Sequence, residues 1–208
     1  MNYELHSPEE AGSDPTIILA HGFRRDLTTQ RGWAEQWSAL GFPVVIPSMC
    51  NSSWLRGRHD RNAEDLRALR EHLGLERVIY AGFSAGGLSA YLAALDDPAT
   101  QAYLGLDPVD SGDRAQDREA LLGVPVLILQ AEPSSCNARL NFQPVIDRYP
   151  PGTAARVDGA THCHFERPYD PRCSWVCGRR SDEETTTVQD NVAQRIKAWL
   201  RQWSVNPD

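Results

Sequence analysis

The chain has 208 residues, 41% hydrophobic and 24% charged, the proportions of an ordinary soluble globular protein with room for one generous domain or two small ones. Its 21 lysines and arginines against 28 acidic residues give a formal charge of −7, which argues against a protein whose main work is gripping phosphate backbones. No segment reaches the roughly 18 apolar residues of a membrane span, and a domain of this length buries roughly 70% of its unfolded surface, so it needs no metal or disulfide merely to fold.

The opening stretch from Met1 to Glu10 has neither a basic start nor an apolar run, so the chain as given carries no secretory signal. Short apolar runs then alternate with amphipathic stretches. Thr16–Ala20 is the first run, and Trp33, Trp37 and Leu40 follow it at helical spacing. Phe42–Ile46 comes next, with Leu66, Leu69 and Leu73 marking a second helix. Arg77–Ala81 leads into an alanine- and leucine-rich helix from Ser84 to Leu95. Ala102–Leu106 and Val124–Leu129 are further runs, and Ala155–Val157 is a weaker one. At the end Val188, Val192, Ile196, Leu200 and Trp203 trace one helical face, opposite Gln189, Asp190, Arg195 and Lys197. Ser181 and Glu184 are spaced for a capping box ahead of that helix.

Strand-length runs without polar alternation are buried on both faces, as in a parallel sheet covered by helices. No linker, repeat or low-complexity tract interrupts the pattern. The expected fold is therefore a single α/β domain over residues 1–208, with a mainly parallel central sheet flanked by crossover helices.

The chemistry concentrates after the third run, where Gly82-Phe83-Ser84-Ala85-Gly86 fits G-x-S-x-G. That pattern suits a sharp strand-to-helix turn that exposes a serine hydroxyl at the sheet edge, with glycines removing side chains that would collide. A dinucleotide-binding turn fits less well, because it needs glycine where Ser84 stands. A second piece is His21-Gly22-Phe23 after the first run. Acyl transfer needs two fixed N–H donors at the developing oxyanion. Phe23 and Ala85 are the candidates, while His21 is expected to orient the loop rather than act as a base.

A serine needs a base, and the base an acid. Among the histidines His6, His59 and His72 read as surface residues. His162 follows the last strand candidate, late in the chain, and is preferred over His164 two residues on. Asp107 and Glu132 each follow a strand in the second half, and periodicity does not choose between them.

These residues together resemble the α/β-hydrolases, and within them the chlorophyllase-like and small bacterial serine esterase branch. The resemblance rests on His21-Gly22-Phe23, Gly82-Phe83-Ser84-Ala85-Gly86-Gly87, Gly105-Leu106-Asp107-Pro108-Val109 and Ala160-Thr161-His162-Cys163, and spans the chain from about Thr16 to the last helix. It implies Ser84 as nucleophile, His162 as base, Asp107 rather than Glu132 as acid, and Phe23 with Ala85 as oxyanion donors. One departure is Ala85 where plant chlorophyllases carry arginine after the serine, which weakens chlorophyll as a substrate. The chain is also short for the family, with no insertion that would make a lid, so an open, shallow site is expected. Some relatives are exported and use late cysteines in disulfides.

The five cysteines are Cys50, Cys136, Cys163, Cys173 and Cys177, and an odd number leaves at least one unpaired within the monomer. The Cys173–Cys177 spacing is looser than common zinc pairs, so disulfides among the last four are expected in oxidising surroundings, in any of three pairings. The missing secretory pattern points to the cytoplasm and the late cysteines to export, and the sequence leaves both open. The functional expectation is a serine carboxylesterase acting on small, short-chain esters through an acyl-enzyme on Ser84, with no cofactor, no metal and no nucleic-acid partner. Phe23, Trp54 and Trp175 are candidates for an apolar entrance. The same machinery would serve a thioesterase, lactonase, amidase or polyester hydrolase, and a non-catalytic ligand-binding relative would keep the fold alone.

Overall fold

In a computed structural model that describes residues 1–9, 15–51 and 57–203, the apolar runs become neighbouring strands. The strands are β1 (Tyr3–His6), which no apolar run marks, and β2 (Thr16–Ala20), β3 (Val44–Pro47), β4 (Val78–Phe83), β5 (Thr100–Leu106), β6 (Val126–Gln130) and β7 (Ala154–Arg156). They form a seven-stranded sheet in the order β1-β3-β2-β4-β5-β6-β7. All neighbours run parallel except β1, which pairs antiparallel with β3 along the edge.

β1 is the strand that the sequence does not announce. Its residues alternate exposed and half-buried, and an edge strand with one partner needs no continuous apolar run. The central strands do, because successive side chains enter opposite layers. In β2, Ile17 and Leu19 join one core while Ile18 and Ala20 join the other.

The helices supply both layers: α1 (Arg31–Ser38), α2 (His59–His72), α3 (Ala85–Leu95), α4 (Gln143–Ile146), α5 (Pro171–Cys177) and α6 (Asp182–Leu200). Trp33 and Trp37 of α1 and Val192, Ile196 and Leu200 of α6 fill the first core. Leu66 and Leu69 of α2 and Leu88, Tyr91 and Leu92 of α3 fill the second. Burying each such large apolar side chain is worth about 2 kcal/mol. The capping box ahead of α6 forms as expected: Glu184 N–H donates to Ser181 Oγ at 3.2 Å, and Ser181 N–H donates to Glu184 Oε2 at 2.9 Å. Among the described residues no helix is long and apolar enough to cross a membrane.

Candidate active site

Ser84 occupies the hinge between β4 and α3 with φ 54° and ψ −123°, a conformation that costs a non-glycine residue about 1–3 kcal/mol. Backbone bonds hold it there: Ser84 N–H donates to Leu106 O at 3.0 Å, and Val109 N–H donates to Ser84 O at 3.2 Å. The glycines on either side are a packing requirement. A Cβ at Gly82 would lie 2.4 Å from Gly86 O, and one at Gly86 would lie 2.3 Å from His21 O. The start of α3 passes too close to β4 at Gly82, and too close to the chain leaving β2 at Gly86, for any side chain.

His162 arrives from the other side, in a turn spanning His162–Phe165 just after β7. Its Nε2 lies 2.9 Å from Ser84 Oγ and its Nδ1 lies 2.6 Å from Asp107 Oδ2. With Nδ1–H donated to the carboxylate, Nε2 is free to accept the serine proton. Phe83 packs on the imidazole at 4.6 Å between ring centroids. Asp107 is fully buried at the end of β5 with φ 45°. It also accepts from Ala131 N–H at 3.0 Å and from Asn137 Nδ2 at 3.2 Å. Asn137 belongs to the loop after β6, and nothing in its sequence neighbourhood signals this contact.

The structure thus brings Ser84, His162 and Asp107 into one hydrogen-bonded chain and leaves the alternates out. Glu132 meets neither Ser84 nor His162: its backbone N–H donates to Ala160 O at 3.0 Å and its carbonyl accepts from Asn137. His164 is turned inward, its Nδ1 accepting from Thr161 N–H at 2.9 Å. His21 has both nitrogens committed, Nδ1–H to Gly22 O at 2.8 Å and Nε2 accepting from Met49 N–H at 3.0 Å. That arrangement needs a neutral ring, and burial pushes the His21 imidazole down accordingly.

Phe23 and Ala85, the expected N–H donors, both line the pocket that holds Ser84. Ala85 opens α3, so its N–H has no intrahelical acceptor, and the helix's positive end faces the same space. The pocket encloses about 880 Å³, within the range of small-molecule sites.

One wall of this pocket is a surprise. The short helix α5 contributes Arg172, Cys173, Val176 and Cys177 to it, and no apolar periodicity marks α5 in advance. Two disulfides pin it, Cys163–Cys173 and Cys136–Cys177. They tie α5 to the residue after His162 and to the loop that carries Asn137. The sulfurs of Cys163, Cys173 and Cys177 lie within 4.8 Å of one another, and all are committed to these bonds. Cys50 is free and exposed. The expected open, shallow site is therefore walled on one side by α5.

Other anchors hold the same loop. Arg25 donates from Nε and Nη2 to the fully buried Glu166 carboxylate at 2.6 Å each, and pairs with Asp170 at 2.9 Å. Burial pushes the Glu166 carboxyl up, and the Arg25 guanidinium opposes that shift. Trp33 Nε1–H donates to Phe165 O at 3.0 Å, and Gln189 Nε2 donates to Glu166 O at 2.7 Å.

Three further expectations need correction or placement. His59 is not a surface residue: it opens α2, is only 3% exposed and lines the pocket. Trp175 is 74% exposed on the outside of α5, under Arg179, and does not line the pocket. Trp54 lies outside the described residues.

No family model matches the chain. It is similar to 2-hydroxy-6-oxononadienedioate/2-hydroxy-6-oxononatrienedioate hydrolase 2 of Pseudomonas putida, with 32% identity over 114 residues, 47% of this chain and 37% of that protein. It is also similar to the corresponding hydrolase 1 of Dechloromonas aromatica, with 29% identity over 115 residues, 48% of this chain and 37% of that one. The match thus spans little more than a third of either relative.

Proposed function

We propose that the chain is a single-domain serine hydrolase of the α/β-hydrolase fold that cleaves carboxylic esters. The observation that carries this reading is the continuous chain Ser84 Oγ–His162 Nε2 at 2.9 Å and His162 Nδ1–Asp107 Oδ2 at 2.6 Å. The strained turn at Ser84, the parallel sheet and the hydrolase names of both relatives support it. The His21, Ser84, Asp107 and His162 motifs favour the chlorophyllase-like and small esterase branch.

In this mechanism His162 Nε2 takes the Ser84 proton as Oγ attacks the ester carbonyl, and Asp107 holds the imidazolium that forms. The N–H groups of Phe23 and Ala85 stabilise the tetrahedral oxyanion. His162 returns the proton to the leaving alcohol, which departs and leaves an acyl group on Ser84. Water then attacks that acyl group with His162 again as base, releasing the acid and regenerating the serine. No cofactor enters either half.

A fluorophosphonate probe should label the wild-type chain at Ser84 and leave Ser84→Ala unlabelled; labelling that persists in the variant overturns the assignment. Asp107→Asn should lower turnover about 10⁴-fold, the scale of an orienting acid lost from a serine triad, whereas Glu132→Gln should stay near wild type. The reverse pattern would move the acid to Glu132. The relatives' names favour a second substrate, an oxo-diacid. Faster turnover of such a compound than of any simple ester would favour that reading.

A further inference from the structure

The pocket around Ser84 reverses the charge of the molecule that carries it. The chain has a formal charge of −7, yet among the described residues the pocket wall holds Arg24, Arg25, Arg114 and Arg172 and no aspartate or glutamate. A cleft lined by one sign of charge concentrates ligands of the other sign, because its low-dielectric walls focus the field.

The arginines are not equally committed. Arg25 spends its Nε and both Nη groups on Glu166 and Asp170, so it braces the His162 loop. Arg114 donates from Nε to Asp60 at 2.9 Å and from Nη1 to Ser111 O. Asp60 is itself exposed and absent from the pocket wall, and the Nη2 of Arg114 makes no hydrogen bond among the described residues. The Arg172 guanidinium has no hydrogen bond or ion pair among the described residues, and it stands on the disulfide-pinned α5. A fixed helix presenting an unpaired guanidinium to a pocket is preorganised for a planar anion.

His59 adds an independent sign. It is 97% buried, lines the same pocket, and its Nδ1 is buried with no hydrogen-bond partner among the described residues. Native proteins rarely leave such a polar atom unsatisfied. Burial and then Arg114 push this imidazole below its ordinary value, while Asp60 and Asp110 pull it back up.

We infer that the pocket selects esters that carry a carboxylate or similar anion away from the scissile bond, with Arg172 and Arg114 as the specificity-determining cations and His59 as a polar contact. This rests on the serine hydrolase reading of the same site and adds a substrate class to it. The anion need not touch the reacting atoms. It orients the substrate, and electrostatic attraction raises its local concentration.

The test compares p-nitrophenyl hexanoate with the mono-p-nitrophenyl ester of adipate, which has the same acyl length but ends in a carboxylate. At low ionic strength the wild type should favour the anionic ester at least about tenfold in kcat/KM, and salt should narrow the gap by screening. In Arg114→Gln/Arg172→Gln the ratio should fall toward one. Because it is a ratio of two esters in one protein, general damage to the enzyme cancels. Hexanoate cleaved as well as the adipate ester by the wild type overturns the anion assignment and leaves the hydrolase reading standing. A preference that survives in the double variant overturns the roles of the two arginines. Binding of the adipate ester to Ser84→Ala, measured by calorimetry, reads the pocket without turnover, and equal affinity with and without the two arginines also counts against it. Failure of the fluorophosphonate label is the separate result that overturns the hydrolase reading.

Discussion

The site has two halves held by different means. The Ser84 half is made of backbone: α3 passes so close to β4 at Gly82, and to the end of β2 at Gly86, that a Cβ would overlap a carbonyl oxygen. The His162 half is a loop after a three-residue strand, held by two disulfides, the Arg25–Glu166 pair and hydrogen bonds from Trp33 and Gln189. The first half sits inside the sheet, where ladder bonds and packing leave no slack. The second lies beyond the sheet, so side-chain cross-links must supply the order that the ladder supplies elsewhere. One reactive group is therefore positioned by close approach of the main chain, the other by stapling.

The largest effect expected is on chemistry. Ser84→Ala should lower ester turnover by up to about a millionfold, the scale seen when a serine triad loses its nucleophile. Its melting temperature should stay near wild type, because backbone bonds hold the turn. A large drop in melting temperature would show that the Ser84 side chain also supports the fold.

The next effect concerns the stapled half. Cys136→Ser/Cys177→Ser opens a bridge spanning 41 residues, for which chain entropy gives a loss of about 4 kcal/mol. Hydrogen exchange should quicken in residues 160–178 and stay slow in β4 and α3. Equal loosening of both halves would erase the distinction drawn above.

A single methyl group tests the backbone half. Gly86→Ala places a Cβ 2.3 Å from His21 O and 2.5 Å from Ala20 O, and should cost about 3 kcal/mol in denaturant unfolding. Gly159→Ala in the His162 half meets only Val188 Cγ2 at 3.8 Å, so it loses stability through its φ of +72° alone. A smaller loss at Gly86 than at Gly159 would contradict the packing account.

The smallest effect is shared between the halves. Burial lowers His21 on the Ser84 side, His164 on the His162 side and His59 at the pocket wall from their ordinary value of 6.5. A histidine that stays neutral in the fold but protonates when unfolded contributes its full stability above pH 6.5. That contribution is lost as the pH falls toward the folded value, by at most about 1.4 kcal/mol per pH unit for each ring. Unfolding free energies measured from pH 7.5 down to about 5.5 should show this decline. His164→Asn, whose amide oxygen can still accept from Thr161 N–H, should make the decline shallower. An unchanged slope would remove the His162 loop from the acid response.

Legibility in the sequence followed how local each cause is. Thr16–Ala20 coincides with β2, and the other apolar runs overlap strands to within a few residues, because burial on both faces writes a continuous signature. Gly82 marks the turn at Ser84 for the same reason, since the clash that it avoids is with Gly86 four residues on, whereas Gly86 makes room for the distant carbonyls of Ala20 and His21. β1 and α5 escaped, since an exposed edge strand and a seven-residue helix secured by disulfides need no apolar periodicity. The charged neighbours of His59 describe the surface of α2, while its own ring is buried and lines the pocket.

What the sequence determined by itself was the alternation of buried strands and covering helices and the serine at a turn that only glycine neighbours allow. The tertiary structure decided which partners meet there. Asp107 rather than Glu132 stands against His162 across 55 residues, Cys136 pairs with Cys177 across 41, and four arginines from three separate segments come to line one pocket. Those contacts depend on where β5, β6 and β7 end in space and on the paths of the loops between them. Periodicity records which face of an element is buried, not what waits at its far end.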